Sequence, residues 1–193
     1  MTIRPGQDWG TPTDLPPDVV DVTTDADAAE QLAAQRPVRL CGGDVWTSLG
    51  ARTRQDGAVA LPVDLLRVEA DGTAFVAIAH VVARRSWWRG PVLAVMNVDR
   101  LGPWDVAPRA HPNDGRADVV EVAADMGLRA RWQARSRLSS GTHLPHPQLH
   151  NRRITDETWA FDRPRRLWVD GVARGTVRSL RVAVEPDGAT VLA

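Results

Sequence analysis

Ala58-Val59-Ala60-Leu61-Pro62-Val63-Asp64-Leu65-Leu66-Arg67-Val68-Glu69-Ala70-Asp71-Gly72-Thr73-Ala74-Phe75-Val76-Ala77-Ile78-Ala79-His80-Val81-Val82 is rich in apolar and β-branched residues. Two such runs meet at Asp71-Gly72, a dipeptide that supplies the positive φ angles of a tight hairpin turn. The stretch therefore predicts strands over 58–61, 63–69 and 73–82. The pattern continues outward. Strands are expected over 91–98, 117–123, 152–155, 158–161, 167–169, 179–184 and 190–192. Arg89-Gly90, Asn113-Asp114-Gly115, Asp170-Gly171 and Asp187-Gly188 punctuate them. Many short strands with turns at such intervals predict a mostly β fold, a β-sandwich.

One or two helices accompany the strands. Residues 24–36 carry a candidate N-cap in Thr24, first-turn acids in Asp25 and Asp27, and an apolar stripe of Ala28, Ala29, Leu32 and Ala33, with Pro37 as the stop. A second helix is expected at 127–138, with Leu128, Trp132, Arg135 and Leu138 on a shared face. Residues 1–23 are rich in Pro, Asp and Thr and show no hydrophobic period. Residues 1–37 are therefore read as an N-terminal arm with a short helix, and 38–193 as the β-sandwich domain.

The 193 residues suffice for one sizeable domain, and 43% are hydrophobic. Basic and acidic residues number 24 each, which argues against a nucleic-acid partner. Every cation other than His is Arg; without Lys, Schiff-base chemistry and a P-loop lysine are excluded. Cys41 is the single cysteine, so no intrachain disulfide forms. No run reaches the roughly 18 apolar residues of a membrane span. With no apolar signal core at the N-terminus, a cytoplasmic location is the default, with peripheral contact at a membrane left open.

Each candidate site has a plain alternative. Gly42-Gly43-Asp44 after a short strand suits a phosphate-approaching loop, but also a simple tight turn, and Val45-Trp46 would crowd a phosphate. His143, His146 and His150 have ligand-like spacing. Pro145 and Pro147 keep them off one helical face and no carboxylate is interleaved, so no metal is assigned. Trp87-Trp88 between Arg84-Arg85 and Arg89 reads either as a hairpin whose tryptophans pack on the sheet, or as a membrane-contact tip.

In order, the motifs resemble a known family. Gly42-Gly43-Asp44-Val45-Trp46-Thr47-Ser48-Leu49-Gly50 is similar to the G-x-N-D-[FL]-A-R-x-L-G signature of bacterial diacylglycerol and sphingosine kinase-like proteins, of the NAD kinase superfamily. Val63-Asp64-Leu65-Leu66-Arg67-Val68 resembles one of their strands, and Ala94-Val95-Met96-Asn97 another. Ala107-Pro108-Arg109-Ala110 through Asp118 resembles their A-P-x-A…D-G-x-x-D block, and Gly141-Thr142-His143-Leu144 their G-x-H element. Trp168-Val169-Asp170-Gly171 resembles their D-G-E motif, with Val172 in place of the Glu.

The resemblance covers about residues 38–193 and implies the second, β-rich domain of these lipid kinases without the nucleotide-binding domain and its Gly-Gly-Asp-Gly-Thr loop. It implies catalytic roles for Asp170 and Asp114 only in a completed complex. Gly42, Gly43, Asp44 and Asn97 would line a phosphate site or cleft, and Asp118 and His143 a ligand site or interface. It further implies a lipid ligand, a homodimer or a separate nucleotide-binding subunit as partner, and ATP with Mg²⁺ only through that subunit. Alone, the chain is expected to be a pseudoenzyme without cofactors.

Overall fold

Alternation along one long strand sets the layers. The computed structural model describes residues 9–50 and 57–193; the first eight residues of the expected arm lie outside them. In chain order the elements are β1 (Thr11–Thr13), β2 (Val20–Val22), α1 (Asp25–Ala33), β3 (Val38–Leu40), α2 (Gly43–Ser48), β4 (Ala58–Ala70), β5 (Thr73–Ala77), β6 (His80–Arg84) and β7 (Val92–Met96). They continue with β8 (Arg100–Leu101), β9 (Trp104–Asp105), β10 (Ala117–Val122), α3 (Leu128–Arg137), β11 (Leu149–Ile154), β12 (Asp156–Val169) and β13 (Val172–Leu192). Leu66, Val68 and Ala70 of β4 face a core shared with Val81, Leu93, Val95, Val119, Leu167 and Leu180. Leu61, Val63 and Leu65 face the other way, onto Val22, Ala28, Val38, Leu40 and Val45. A period of two thus buries both faces of the same strand.

The molecule is mostly β, a sandwich formed by one bent sheet. Its hydrogen-bonded order is β1-β4-β13-β12-β6-β7-β10-β11, with β5 beside β4, β3 beside β13 and β2 beside β3; β8 and β9 form a separate ribbon. β13 spans 21 residues, pairing with β12 in its first part and with β4 over most of its length. Its register against β4 shifts between Glu185 and Ala189, where Asp187 takes a φ of 51°. Such a bulge bends the strand and lets one sheet fold over its own core. The reverse faces of β6, β7 and β10 form a third apolar cluster, with Val82, Ala94, Met96 and Val120 under the β8–β9 ribbon and α3.

Three expectations are corrected. Residues 9–23 are not a loosely attached arm. β1 pairs with β4, and β2 runs parallel to β3, which runs parallel to the end of β13, so the boundary drawn at residue 37 falls inside a β–α–β unit. Trp9 donates its indole N–H to the Pro62 carbonyl at 3.0 Å. The low apolar content of the arm hid this, because edge strands draw on backbone hydrogen bonds more than on side-chain burial. Next, the strand expected over 73–82 is two strands. The chain leaves the ladder at Ile78 and Ala79, whose N–H groups find a carboxylate instead of a neighbouring strand. Finally, α3 buries the flank of Arg131 and Leu138 and leaves the Leu128 and Trp132 part of the expected face outside. Leu128 and Trp132 are 52% and 63% exposed, while Arg131 is 5% exposed. The Arg131 guanidinium donates to the carbonyls of Met126, Trp87, Gly90 and Ala123, which a hydrophobic-periodicity count does not detect.

Candidate functional site

Two carboxylate clusters and one tryptophan-walled cavity hold the chemistry. The first cluster is built where β12 turns into β13. Asp170 and Gly171 both take positive φ, 46° and 79°, as a two-residue hairpin turn requires. This places the Asp170 carboxylate against the β5–β6 break, where it accepts the N–H groups of Ile78 at 2.9 Å, Ala79 at 3.0 Å and His80 at 2.9 Å. Burial pushes its pKa up, against the opposing pull of His80 and the three N–H groups. All three donors are backbone groups of the strand crossing, so the carboxylate acts first as a clamp between the halves of the sheet.

His80 joins this cluster. Its Nε2 lies 3.1 Å from Asp44 Oδ2, and Asp44 also accepts the Gly102 N–H. Burial opposes the imidazolium, but the Asp44 hydrogen bond and the charges of Asp170, Asp44 and Asp25 outweigh it and hold the pKa above the ordinary histidine value. Burial likewise works against the Asp44 carboxylate, yet His80 and Gly102 keep its pKa low. The two form a charged pair at the end of a cleft of about 320 Å³ walled by Trp87, Trp104 and Trp168. Arg84 is stacked there between Trp87 at 4.2 Å and Trp168 at 4.0 Å.

Gly42 and Gly43 do not form an open phosphate loop. They lead into α2, and Asp25 already occupies its amino end, accepting the N–H groups of Asp44 at 2.7 Å and Val45 at 3.1 Å. A Cβ on Gly43 would sit 2.5 Å from Asp25 Oδ1, and Gly43 has a φ of 96°, so only glycine fits. Burial raises the Asp25 pKa to about 6, partly offset by those N–H bonds. Asp25 thus sits in the first turn of α1, as expected, while its carboxylate caps the amino end of α2. Thr24 and Asp27 cap α1, with the Asp27 N–H donated to Thr24 Oγ1 at 3.1 Å.

The second cluster surrounds Asp64, which accepts the Gly115 N–H at 2.7 Å and the Asp187 N–H at 2.9 Å and so ties β4 to the 113–115 turn and to the bulge of β13. Burial raises its pKa to about 6. Asp114 accepts the Arg116 N–H in its own turn. Arg153 lies between Asp114 and the buried Asp118, 3.6 Å from each. Asp114 therefore groups with Asp64 and Asp118, whereas Asp170 groups with Asp44, His80 and Asp25. Asn97, expected to line a cleft, is fully buried and donates its side-chain amide to the carbonyls of Asp64 and Ile78. His143 is buried with Nε2 3.1 Å from the Val106 carbonyl oxygen. The sequence alone assigns none of Asp25, Asp64 and His80 to a site. The available signal was an ionisable residue inside an otherwise apolar strand, as in Pro62-Val63-Asp64-Leu65 and Ile78-Ala79-His80-Val81.

The third feature is a narrow cavity of about 100 Å³ between α3 and the sheet. Trp87, Trp88, Trp104, Leu101, Met126 and Leu149 supply much of its wall, and Arg131 and Arg135 close its α3 side. Trp87 meets Trp104 edge-on at 6.1 Å, and the Arg135 guanidinium carbon lies 4.7 Å over Trp104. Of the tandem tryptophans, Trp87 packs inward as the hairpin reading expects, and Trp88 stays 41% exposed.

No protein-family model matches the sequence, and no curated protein matches it. Solved structures do match. One, assigned as a diacylglycerol kinase from Bacillus anthracis str. Sterne, superposes with a TM-score of 0.66 at 11% identity over 90% of this chain and 77% of that one. A second from the same source gives 0.61 at 12% identity over 90% and 75%. A third gives 0.66 at 12% identity over 90% and 77%. The chain therefore has the fold of diacylglycerol-kinase-like proteins. Among the described residues no helix is long and apolar enough to cross a membrane.

Proposed function

We propose that this chain is a lipid-kinase-like β domain that holds an amphipathic lipid and transfers no phosphate on its own. The observation that carries the reading is the cavity under α3. Its wall is almost wholly aromatic and aliphatic, and at about 100 Å³ it takes a short stretch of an apolar chain, with Arg135 at its edge for a polar or anionic head that stays outside. The carboxylates support it from the other direction. Asp170 and Asp25 are committed to backbone N–H groups, and the Gly42-Gly43 segment meets an internal carboxylate where a phosphate would have to bind. Phosphoryl transfer depends on positioning a triphosphate with its metal, and these groups are already engaged.

The test is displacement of a fluorescent fatty-acid probe from the purified chain, with Ala134→Phe as the variant that fills the cavity. Saturable binding to the native chain, weakened at least roughly tenfold by Ala134→Phe, supports the reading. Equal binding by both removes the cavity as the site. A second reading is a split lipid kinase, in which a separate nucleotide-binding subunit brings ATP and Mg²⁺ to the cleft at Asp44 and His80. The favouring observation is that this pair lies on a cleft wall, with Asp44 partly exposed. ATP-dependent lipid phosphorylation that appears only when such a subunit is added would select it.

A further inference from the structure

Four large hydrophobic side chains are exposed among the described residues, and three of them, Trp88, Leu128 and Trp132, lie on one side of the molecule. The contacts make them continuous. The Arg135 guanidinium carbon sits 5.5 Å over the Trp88 ring. On α3, Arg135 is three residues from Trp132, and Trp132 four from Leu128, so all three share one flank. Arg131 fastens that helix to the 85–91 turn through the carbonyls of Trp87 and Gly90. The apolar groups are therefore carried on one rigid ledge rather than on a loose loop.

Cations predominate around the ledge. α3 contains Arg129, Arg131, Arg135 and Arg137 and no acid. Past Gly90, an open cleft of about 620 Å³ is ringed by Arg85, Arg89, Arg163 and Arg165, with Asp162 as the one acidic lining residue among the described residues. Arg165 stacks 4.0 Å over Phe161, and burial holds its pKa down, so an incoming anion would relieve it. A chain of zero net charge thus places a local excess of cations beside its exposed tryptophans.

We infer that this face docks on an anionic lipid surface, with Trp88, Leu128 and Trp132 entering the interface and the Arg85–Arg89–Arg163–Arg165 cleft receiving acidic headgroups. Tryptophan suits the interfacial zone, where its ring is apolar and its N–H stays hydrated. Arginines beside it gain from the negative surface potential, roughly fivefold in partitioning for each. A protruding leucine next to a tryptophan favours a bilayer over a single-stranded nucleic acid, which would use stacking rings and gains nothing from Leu128. Trp88 and Arg135 also wall the cavity under α3, so a docked face would bring the mouth of that cavity to the membrane. The docking itself rests on the exposed face and stands whether or not a lipid fills the cavity.

The experiment is co-sedimentation of the full chain with phosphatidylcholine vesicles and with vesicles containing phosphatidylglycerol, at low and high salt. Three variants are compared: Leu128→Ser with Trp132→Ser, Arg85→Glu with Arg89→Glu, and Ala134→Phe. The native chain is expected to bind the anionic vesicles, to release them at high salt, and to ignore neutral ones. Each paired variant should lose at least roughly tenfold in partitioning at an unchanged melting temperature. Ala134→Phe should bind vesicles like the native chain even where it has lost the fatty-acid probe, which separates this inference from the cavity reading. Failure of the native chain to sediment with anionic vesicles overturns the inference, as does binding that survives both paired variants. Capture of a polyuridine oligonucleotide in place of vesicles overturns it in favour of a nucleic-acid face.

Discussion

Replacing Asp170 by Ala should cost the fold far more than an active-site carboxylate normally would. The substitution strips the acceptor from three buried N–H groups at 2.9, 3.0 and 2.9 Å. A buried donor left without a partner costs about 1–3 kcal/mol, so three set a ceiling near 9 kcal/mol. Part of this returns, because a desolvated carboxylate held near Asp25 is removed with it. A net loss of about 4 kcal/mol is the expected outcome, a large share of the 5–15 kcal/mol that holds a domain together. In a chain of this size it corresponds to a fall of roughly 8–16 °C in melting temperature. Asp170→Asn keeps one acceptor oxygen and should lose about half as much. Urea titration followed by tryptophan fluorescence and far-UV circular dichroism reads both, as a lower midpoint at unchanged slope. Carboxylates kept for catalysis tend to be neutral or stabilising when removed. An Ala variant within about 0.5 kcal/mol of the native chain would refute the clamp and return Asp170 to a functional role.

Other consequences follow from the same contacts. Asp25 and Asp64 are raised to about 6 from 3.8, so between those values the folded chain binds more protons than the unfolded one and stability falls as pH rises. His80 adds in the same direction, since its raised pKa gives stability that is complete below 6.5 and lost as pH rises through the folded value. The melting temperature should therefore be higher near about pH 5 than near about pH 8, with Asp25 alone worth about 1.4 kcal/mol across that window, and Asp25→Asn should flatten the profile. Arg131→Met should destabilise by about 2–4 kcal/mol by orphaning buried carbonyls, and Arg131→Lys should not restore it, because an ammonium lacks the guanidinium fork; chemical denaturation measures both. Deleting residues 1–23 should lower the melting temperature by several degrees, since β1, β2, the Trp9–Pro62 bond and the half-buried Trp9 ring go with them, the ring alone worth about 1 kcal/mol; no change would show those strands to be ornamental.

What the sequence disclosed is local, and what it concealed is long-range. Asp71-Gly72 and Asp170-Gly171 are legible because a two-residue turn needs positive φ at both positions, and both pairs adopt it. Thr24 is legible as a cap because its partner, Asp27, is three residues away. Alternation along residues 58–70 located β4, although Pro62 suggested a break the strand does not make. By contrast, the acceptor for Ile78 lies 92 residues on, and the donors to Asp25 lie 19 and 20 residues on. No spacing rule connects such groups. The α3 face was misread for a related reason. Trp132 and Leu128 look like core residues and Arg131 like surface, until four backbone carbonyls converge on that guanidinium. The grouping of Asp114 with Asp64 and Asp118, away from Asp170, likewise emerges only when β10 and β11 pair and bring Arg153 opposite Asp118.

Native mass spectrometry of the purified chain mixed with diacylglycerol and MgATP tests the proposed lipid-holding, non-transferring function most directly. The expected spectrum holds a one-to-one adduct at the mass of the unmodified lipid, lost in Ala134→Phe, with no phosphorylated lipid in the organic extract. Phosphatidic acid formed by the chain alone, or no lipid adduct under conditions that keep the fold intact, would contradict it.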